Sequence, residues 1–310
     1  MDTVNRILIV FDLYKDYREE SNQVPVEVRN AIRLISDKQT AHLILVGCGI
    51  EEYLRDSYSK FGKDAIAKRR EYCKILEGRL KAVADKLTKQ HYQVTFRFLR
   101  TYPRYDQIAQ LSNKYDVDLV VQHVNSNASP QRFLSANDSW QLVRTCPRSL
   151  LVVKNKDWKN SPVIIVVVDP MPSYHRPLPY HSAILDVAFQ TKVQLHGNLH
   201  VVHAYSESPW PFSNTESLKN KHKKALVEML SAYRIDPESV HLVDKTPLYA
   251  LLDYKEKLEA DIIIMDTLSK SKFTEAISGN LTKSVLDYLQ SDLLIVKQND
   301  AESVKNGFGR

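Results

Sequence analysis

Polar residues follow several apolar runs of this sequence, and these positions are the first candidates for chemistry. Asp12 and Asp169 each end such a run, as do Gln122-His123 and Asp266. If the runs are parallel strands of a doubly wound sheet, their carboxyl ends meet at the edge where such sheets bind ligands. We interpret Asp12 and Asp169 as polar strand ends rather than as a catalytic pair. The sequence also contains no nucleophile elbow, so no catalytic residue is predicted.

The segment from Asp266 to Asn280 is the candidate for binding a phosphate group. An anion needs free backbone N–H groups beside a helix N-terminus, usually with glycines that allow close approach. The chain has eight glycines, and none lies between Gly78 and Gly197. The first half therefore lacks a glycine loop at the equivalent place, whereas the second half keeps Gly279.

The elements that would position these residues occur twice. The interval from Asp118 to Lys154 is 36 residues, and the interval from Asp261 to Lys297 is the same. Each interval begins with an aspartate before an apolar run and ends with a lysine after one. A repeat of this kind indicates one structural unit used twice, which sets the number of domains.

Short apolar runs alternate with stretches of helical period in each half, which predicts strands joined by helical crossovers. Ile164–Val168 and Ile262–Met265 are apolar at consecutive positions, which is typical of parallel strands covered by helices on both faces. We predict an α/β fold with two tandem doubly wound domains, each a five-stranded, mostly parallel sheet between helices. The domains would span residues 1–157 and 158–300, and residues 301–310 would form a flexible tail.

Apolar run lengths and cysteine content indicate the compartment in which the protein works. The longest apolar runs have the length of strands, so no membrane insertion is expected, and the first residues do not resemble a secretory signal. The chain contains three widely spaced cysteines. An odd number at such spacing fits a reducing cytosol better than a disulfide framework or a metal site. We therefore expect a cytoplasmic protein.

The net charge of +6 is unevenly divided. Residues 1–157 carry +7 and residues 158–310 carry −1, and the excess is densest in Lys60–Lys89. This segment is either a solvated helix face or a surface for an anionic partner such as nucleic acid, lipid headgroups or an acidic protein. The charges are accompanied neither by an aromatic stacking pattern nor by a known nucleic-acid module. Sequence-specific nucleic-acid binding is therefore not expected.

His196, His200 and His203 lie close together in the sequence and raise the question of a metal site. Side chains alternate between the faces of a strand, so His200 and His203 would point to opposite sides and could not hold one ion together. We interpret them as structural histidines and predict no metal site. His175 and His181 flank a proline-rich loop near the expected ligand edge, where a metal or substrate contact is the less favoured alternative.

The whole chain resembles the tandem universal stress proteins, through its duplicated strand order and the segments Trp140–Pro147, Gly279–Val285 and Asp292–Lys297. The resemblance implies an adenine nucleotide alpha hydrolase-like fold in each half. It also implies a non-enzymatic role in tolerance of starvation, oxidative or DNA-damaging stress. Because single-domain members of this family usually form dimers, the two halves are expected to pair within the chain. Their last strands, Leu150–Val153 and Leu293–Val296, would form this pseudo-dimer, and further oligomerisation stays open.

The resemblance also identifies a candidate nucleotide site in the second half. Nucleotide-binding members of the family carry the motif G-x2-G-x9-G-[S/T] after the fourth strand. In this frame the chain has Asp266, Ser269, Gly279 and Asn280. Four further positions would lie near the nucleotide: Asp169 by the ribose or adenine, Ala204 and Met265 by the adenine, and Thr282 by a phosphate.

Two departures from that motif act against phosphate binding. The Asp266 carboxylate would repel a phosphate about 4 Å away by about 4 kcal/mol at an effective dielectric constant of about 20, and Ser269 adds a Cβ where the motif has glycine. Hydrogen-bond donors remain in the loop, and a helix N-terminus is still electropositive. These donors are Ser269, Ser271, Asn280 and Thr282. No cofactor is certain. ATP or AMP is the candidate for the second half, and a degenerate loop that only closes the fold is the alternative. The first half has no glycine in the same frame and is expected to hold no nucleotide; it has His123, Ser126, Ala136 and Asn137.

Three functions follow as hypotheses. The leading one is a non-enzymatic stress-response protein, and the second is an ATP- or AMP-binding switch or slow ATPase that uses the second half. The third is a carrier or sensor of a small apolar or lipid-like ligand in the first half. This third hypothesis rests on tyrosines of its early loops, Tyr14, Tyr17, Tyr53 and Tyr58. The aromatic loop Pro209–Phe212 of the second half could line a similar pocket or pack over the cleft.

Overall fold

In a computed structural model, the chain divides into two compact units with the boundary between Asp157 and Trp158. The structure describes residues 4–11, 24–48, 62–100, 104–124, 141–154, 156–171, 179–205, 215–266 and 290–297. Each unit contains five parallel strands, and helices connect the first four strands of each unit.

The first unit follows the alternation of strands and helices that the sequence predicts. Its elements are β1 (Arg6–Phe11), α1 (Val26–Ile32), β2 (His42–Cys48), α2 (Gly62–Lys89), β3 (Gln93–Leu99), α3 (Arg104–Lys114), β4 (Leu119–His123) and β5 (Ser149–Val153). Residues 141–145 are also helical. The strand order is β3-β2-β1-β4-β5, with parallel pairing throughout.

The second unit repeats this arrangement. Its elements are β6 (Val163–Val167), α4 (Pro179–Leu195), β7 (Asn198–Tyr205), α5 (Thr215–Leu230), a 3-10 turn (Pro237–Ser239), β8 (Val240–Asp244), α6 (Pro247–Lys257), β9 (Ile262–Asp266) and β10 (Asp292–Val296). The strand order is β8-β7-β6-β9-β10, again parallel. The predicted fold class is therefore confirmed in both halves.

The central strands are apolar on both faces because helices cover both sides of each sheet. Ile7, Leu8 and Ile9 are consecutive residues of β1 and are all fully buried, and Ile263 and Ile264 of β9 are buried in the same way. Burial of consecutive residues is what a parallel sheet between two helical layers requires. No helix in the described parts of the chain combines the length and the apolar character needed to cross a bilayer.

Candidate functional site

The carboxyl ends of three neighbouring strands place the candidate residues of the second unit at one edge. β6 lies between β9 and β7, with Val166 paired to Ile264 and Val167 paired to Val202. The chain continues from β6 to Asp169, while Ala204 belongs to the last residues of β7 and Met265-Asp266 end β9. Parallel pairing thus brings together the strand ends that sequence analysis assigned to a ligand.

Four of the eight predicted site residues are described, and they differ in exposure. Met265 is buried, whereas Asp169, Ala204 and Asp266 are half-buried and lie at the surface of this edge. The other four, Ser269, Gly279, Asn280 and Thr282, lie outside the described residues. Their role in phosphate binding stays a prediction.

Asp169 is oriented by a hydrogen bond with its own loop. Its Oδ1 accepts a hydrogen bond of 3.2 Å from the backbone N–H of Met171. A carboxylate that caps a turn in this way is held in one orientation at the strand end. In that position it can also accept hydrogen bonds from the hydroxyl groups of a ligand.

Asp266 is the last residue of β9, where it pairs in register with Val296 of β10. The motif of nucleotide-binding relatives has glycine at this position, so that backbone N–H groups can approach phosphate closely. A half-buried carboxylate instead places negative charge at the start of the loop. Together with Asp169, which follows the adjacent strand β6, it makes this edge unfavourable for a polyphosphate.

A buried histidine pair, which the sequence pattern did not predict, lies beside this edge. His203 of β7 is 2% exposed, and its Nδ1 lies 3.0 Å from the carbonyl oxygen of Val168. Its Nε2 lies 2.8 Å from Nδ1 of His222 on α5. Burial lowers the pKa of both imidazoles, and the Asp169 carboxylate partly opposes this shift. No sequence signal links His203 to a helix residue 19 positions later, because only the packing of α5 on β7 brings them together.

A second histidine pair lies on the opposite face of β7. His200 Nδ1 is 3.2 Å from Nε2 of His241 on β8, and the His241 ring packs against Tyr254 of α6. His200 and His203 therefore have different partners, as side-chain alternation along a strand predicts. Among the residues that the structure describes, no three histidine, cysteine or carboxylate side chains are grouped to hold a metal ion.

The equivalent edge of the first unit differs in chemistry. Gln122 occupies the place that Met265 has in the second unit, and its side-chain oxygen is buried without a hydrogen-bond partner. His123, which takes the place of Asp266, is buried as well. The buried Gln122 oxygen is an acceptor that suits a water or a ligand able to donate a hydrogen bond.

Several other predictions fall outside the described residues and stay predictions. They concern Asp12, the aromatic residues proposed to line a pocket, the first-half loop and the proline-rich loop: Tyr14, Tyr17, Tyr53, Tyr58, Pro209–Phe212, Ser126, Ala136, Asn137 and His175. His181 lies in α4, and its side chain is likewise not described.

The basic segment of the first unit forms α2. Leu76, Leu80 and Leu87 are fully buried on one side of this helix, while Arg70 and Lys74 are exposed on the other. Carboxylates share the exposed face, and Glu77 forms an ion pair of 2.9 Å with Arg100. The described face therefore mixes both charge signs.

Comparison with known proteins agrees with this geometry. The model of the universal stress protein family matches residues 162–297, which contain all the strands of the second unit. The second half of this chain is thus similar to the universal stress protein family. The predicted family resemblance is thereby confirmed.

Relatives extend the similarity into the first half. The chain is 24% identical to universal stress protein E of Salmonella typhi over 201 residues, which is 60% of this chain and spans 62% of that protein. It is 22% identical to the universal stress protein E homolog of Haemophilus influenzae over 292 residues, or 89% of this chain and 94% of that protein. A functionally unknown protein of Pseudomonas aeruginosa PAO1 shares the fold, with a TM-score of 0.69, 20% identity and coverage of 98% of this chain and 96% of that chain.

Proposed function

We propose that this chain is a non-enzymatic, cytoplasmic stress-response protein whose second half responds to a small ligand at the carboxyl edge of its sheet. The observation that carries the proposal is the convergence of Asp169, Ala204 and Met265-Asp266 on neighbouring strand ends within the half that matches the family. Doubly wound sheets bind ligands at this edge. The cytoplasmic location rests on the cysteine pattern and is tested by fractionating cells that express the full chain.

An adenine nucleotide is the candidate ligand. The negative charge at this edge of the sheet determines whether AMP or ATP binds better. Asp169 offers carboxylate oxygens to sugar hydroxyls, whereas Asp266 repels phosphate groups. Because the repulsion grows with the charge of the ligand, AMP is expected to bind better than ATP when magnesium is absent. Both are expected to bind weakly.

The absence of catalysis is proposed on the same electrostatic ground. Phosphoryl transfer is accelerated mainly by positioning the phosphates and by stabilising their negative charge in the transition state. A carboxylate at Asp266 opposes that stabilisation. The chain is therefore proposed to bind a ligand without hydrolysing it.

Calorimetric titration of the full chain with AMP and with ATP, each with and without magnesium, tests the nucleotide proposal. Weak heats with AMP, smaller heats with ATP and no release of inorganic phosphate are expected. Tight ATP binding accompanied by turnover would refute the non-enzymatic function. If neither nucleotide produces heat or a thermal shift at millimolar concentration, the ligand is not an adenine nucleotide.

The double variant Asp266→Gly/Ser269→Gly separates a site weakened by its loop from a site that never bound. Restored ATP binding in this variant would show that the two departures from the family motif weaken binding. No gain in the folded variant would show that the rest of the loop has also lost its function.

Pairing of the two halves through their last strands is also proposed. This proposal is supported by the strand order within each half, where the last strand, β5 or β10, is an edge strand. An edge strand rich in apolar residues is normally covered by another element. After protease cleavage of the linker at Asn155–Pro162, the two fragments are expected to elute together in size-exclusion chromatography. Free separation of two folded fragments would refute the pairing.

A further inference from the structure

Two imidazole pairs connect β7 to its neighbours on opposite faces of the second unit. On one face, His203 of β7 is hydrogen-bonded to His222 of α5 at 2.8 Å. On the other face, His200 of β7 is hydrogen-bonded to His241 of β8 at 3.2 Å. In both pairs the rings are nearly parallel, with interplanar angles of 25° and 21°.

The protons of the first pair can be assigned from its partners. A carbonyl oxygen only accepts hydrogen bonds, so the contact with Val168 requires a proton on Nδ1 of His203. The neutral His203 then has a bare Nε2, which accepts the hydrogen bond that Nδ1 of His222 donates. A first proton can bind to Nε2 of His222 without disturbing this arrangement. A second proton must occupy Nε2 of His203, where it would face the N–H of His222 and break the pair.

The charged and titratable groups around the first pair come from three elements. Asp169, which follows β6, favours the protonated form of both imidazoles, whereas Lys221 of α5 opposes protonation of His222. Tyr205 of β7 stacks on the His222 ring. The carboxylate therefore helps the pair to hold one proton, and burial of His203 opposes the second.

Double protonation would also break the second pair, His200 and His241, which has different neighbours. A neutral pair needs one N–H and one bare nitrogen between the rings, so two protonated rings would place N–H against N–H. Tyr254 and Lys257 of α6 are the neighbouring titratable groups, and Lys257 disfavours a charge on His241. Full protonation of His200 and His241 thus breaks the side-chain contact between β7 and β8.

The position of the two pairs determines what their loss would release. Among the strands that the structure describes, β8 pairs only with β7 and lies at the end of the strand order of this unit. The first pair ties α5 to β7, and the second supports the attachment of β8. By contrast, the described residues of β6, β9 and β10 contribute no histidine.

We propose that these two histidine pairs make β8 and α5 an acid-responsive edge of the second unit. This edge loosens when both members of each pair take up protons. The strands β6, β9 and β10 stay folded under the same conditions. The device would give the second half a response to acidification of its surroundings. It does not depend on nucleotide binding.

Hydrogen-exchange mass spectrometry of the full chain at about pH 7.5 and about pH 4 tests this proposal, with labelling times scaled for the intrinsic exchange rate. Peptides from β8 and α5 are expected to exchange at least about tenfold faster at the lower pH, while peptides from β6, β9 and β10 keep their protection. Equal protection at both pH values would overturn the proposal. Simultaneous loss across the whole unit would overturn it as well, since that result describes global acid unfolding.

The variant His222→Asn/His241→Gln supplies the specific control. The Asn amide replaces Nδ1 of His222 and the Gln amide replaces Nε2 of His241, so both side chains can still hydrogen-bond but no longer titrate. We expect the acid response to disappear in this variant and to persist in His196→Asn, which alters an exposed histidine of the same unit. A full acid response in the double variant would refute the proposal.

A measurement on the unchanged protein remains decisive if the double variant does not fold. Exchange of the histidine C2 protons, followed by mass spectrometry, gives a titration midpoint for each ring. The midpoints of His200, His203, His222 and His241 are expected to fall in the pH range where β8 and α5 lose protection. Midpoints outside that range would refute the link.

Discussion

Asp118 accepts a hydrogen bond of 2.8 Å from the backbone N–H of Arg6, and so holds the beginning of β1 against the beginning of β4. The same carboxylate oxygen accepts a second hydrogen bond, of 2.9 Å, from Asn5. Asp261 does the same for Val163 at 2.9 Å in the second unit. The repeated aspartate therefore aligns the first and fourth strands at the amino end of each sheet, opposite the candidate site.

Replacement of Asp118 is expected to destabilise the first unit. Asp118→Ala removes a charged acceptor from two backbone N–H groups, which should cost about 1.5–3 kcal/mol of unfolding free energy. Asp116→Asn is the control, because it removes the exposed ion pairs with Arg6 and Arg148 and keeps a residue suited to φ 47°. The control should cost less than about 1 kcal/mol. Urea denaturation followed by circular dichroism measures both, and equal losses would contradict the assigned role of Asp118.

The sequence repeat identified Asp118 and Asp261 without revealing their function. Spacing alone showed that they begin equivalent strands. Their role as acceptors for Arg6 and Val163 depends on strand order, since β1 and β4 are neighbours although more than 100 residues separate them. The fold class was predictable because consecutive apolar residues directly indicate strands buried on both faces.

The candidate site was predictable only in part. Asp169 and Asp266 could be assigned to one edge because parallel strands end together. The pairing of His203 with His222 could not be predicted, because the rotation of α5 about its axis decides which of its residues faces β7. Local sequence carries no information on that rotation beyond the apolar stripe, which Leu226 and Leu230 represent.

The stability of the second unit is expected to fall in mild acid. Burial lowers the pKa of His241 to about 4, helped by His200 and Lys257, and burial also lowers the pKa of His200 and His203. The unfolded chain, in which histidine has a pKa near 6.5, then binds protons before the folded chain does. The stabilising effect is therefore complete above about pH 6.5 and is lost progressively as the pH falls to about 4.

Urea midpoints measured across this pH range check the prediction. In the variant His241→Gln, the free energy of unfolding should decline less steeply with falling pH than in the unchanged protein. The reason is that the unfolded variant takes up one proton fewer relative to its folded state. A variant whose decline is as steep as that of the unchanged protein would exclude His241 as a contributor. Asp and Glu titrate in the lower part of the range, so the comparison above about pH 5 is the most specific.

Removal of the carboxylate at the end of β9 is expected to strengthen binding of anionic ligands. Asp266→Asn keeps the size and the hydrogen-bonding capacity of the side chain but removes its repulsion of phosphate, which should improve ATP binding about tenfold or more. Asp244→Asn is the matched control, since Asp244 ends β8 and is exposed. Calorimetry with ATP should show a gain for the first variant alone. Equal gains in both variants would indicate a general charge effect rather than a site at Asp266.

Two glycines are expected to respond to alanine with opposite signs. A Cβ at Gly197 would lie 2.7 Å from the backbone oxygen of Pro162 and 2.8 Å from Cδ1 of Ile164. The Pro162 oxygen already accepts a hydrogen bond of 2.9 Å from Asn198, so it cannot move away without loosening the start of β7. Gly197→Ala should therefore destabilise the second unit by about 1–3 kcal/mol.

Gly78 lies in the exposed face of α2, and a Cβ there would meet no atom within 4 Å. Gly78→Ala should stabilise the first unit by about 0.5–1 kcal/mol, because alanine loses less backbone entropy than glycine when a helix forms. Because two units can unfold separately, each transition must be resolved in the denaturation curve before the free energies are compared. A stable Gly197→Ala protein would show that β6 and the start of β7 can separate without cost, which contradicts the close packing at Pro162. A destabilised Gly78→Ala protein would instead require a partner surface on α2 that the added methyl group obstructs.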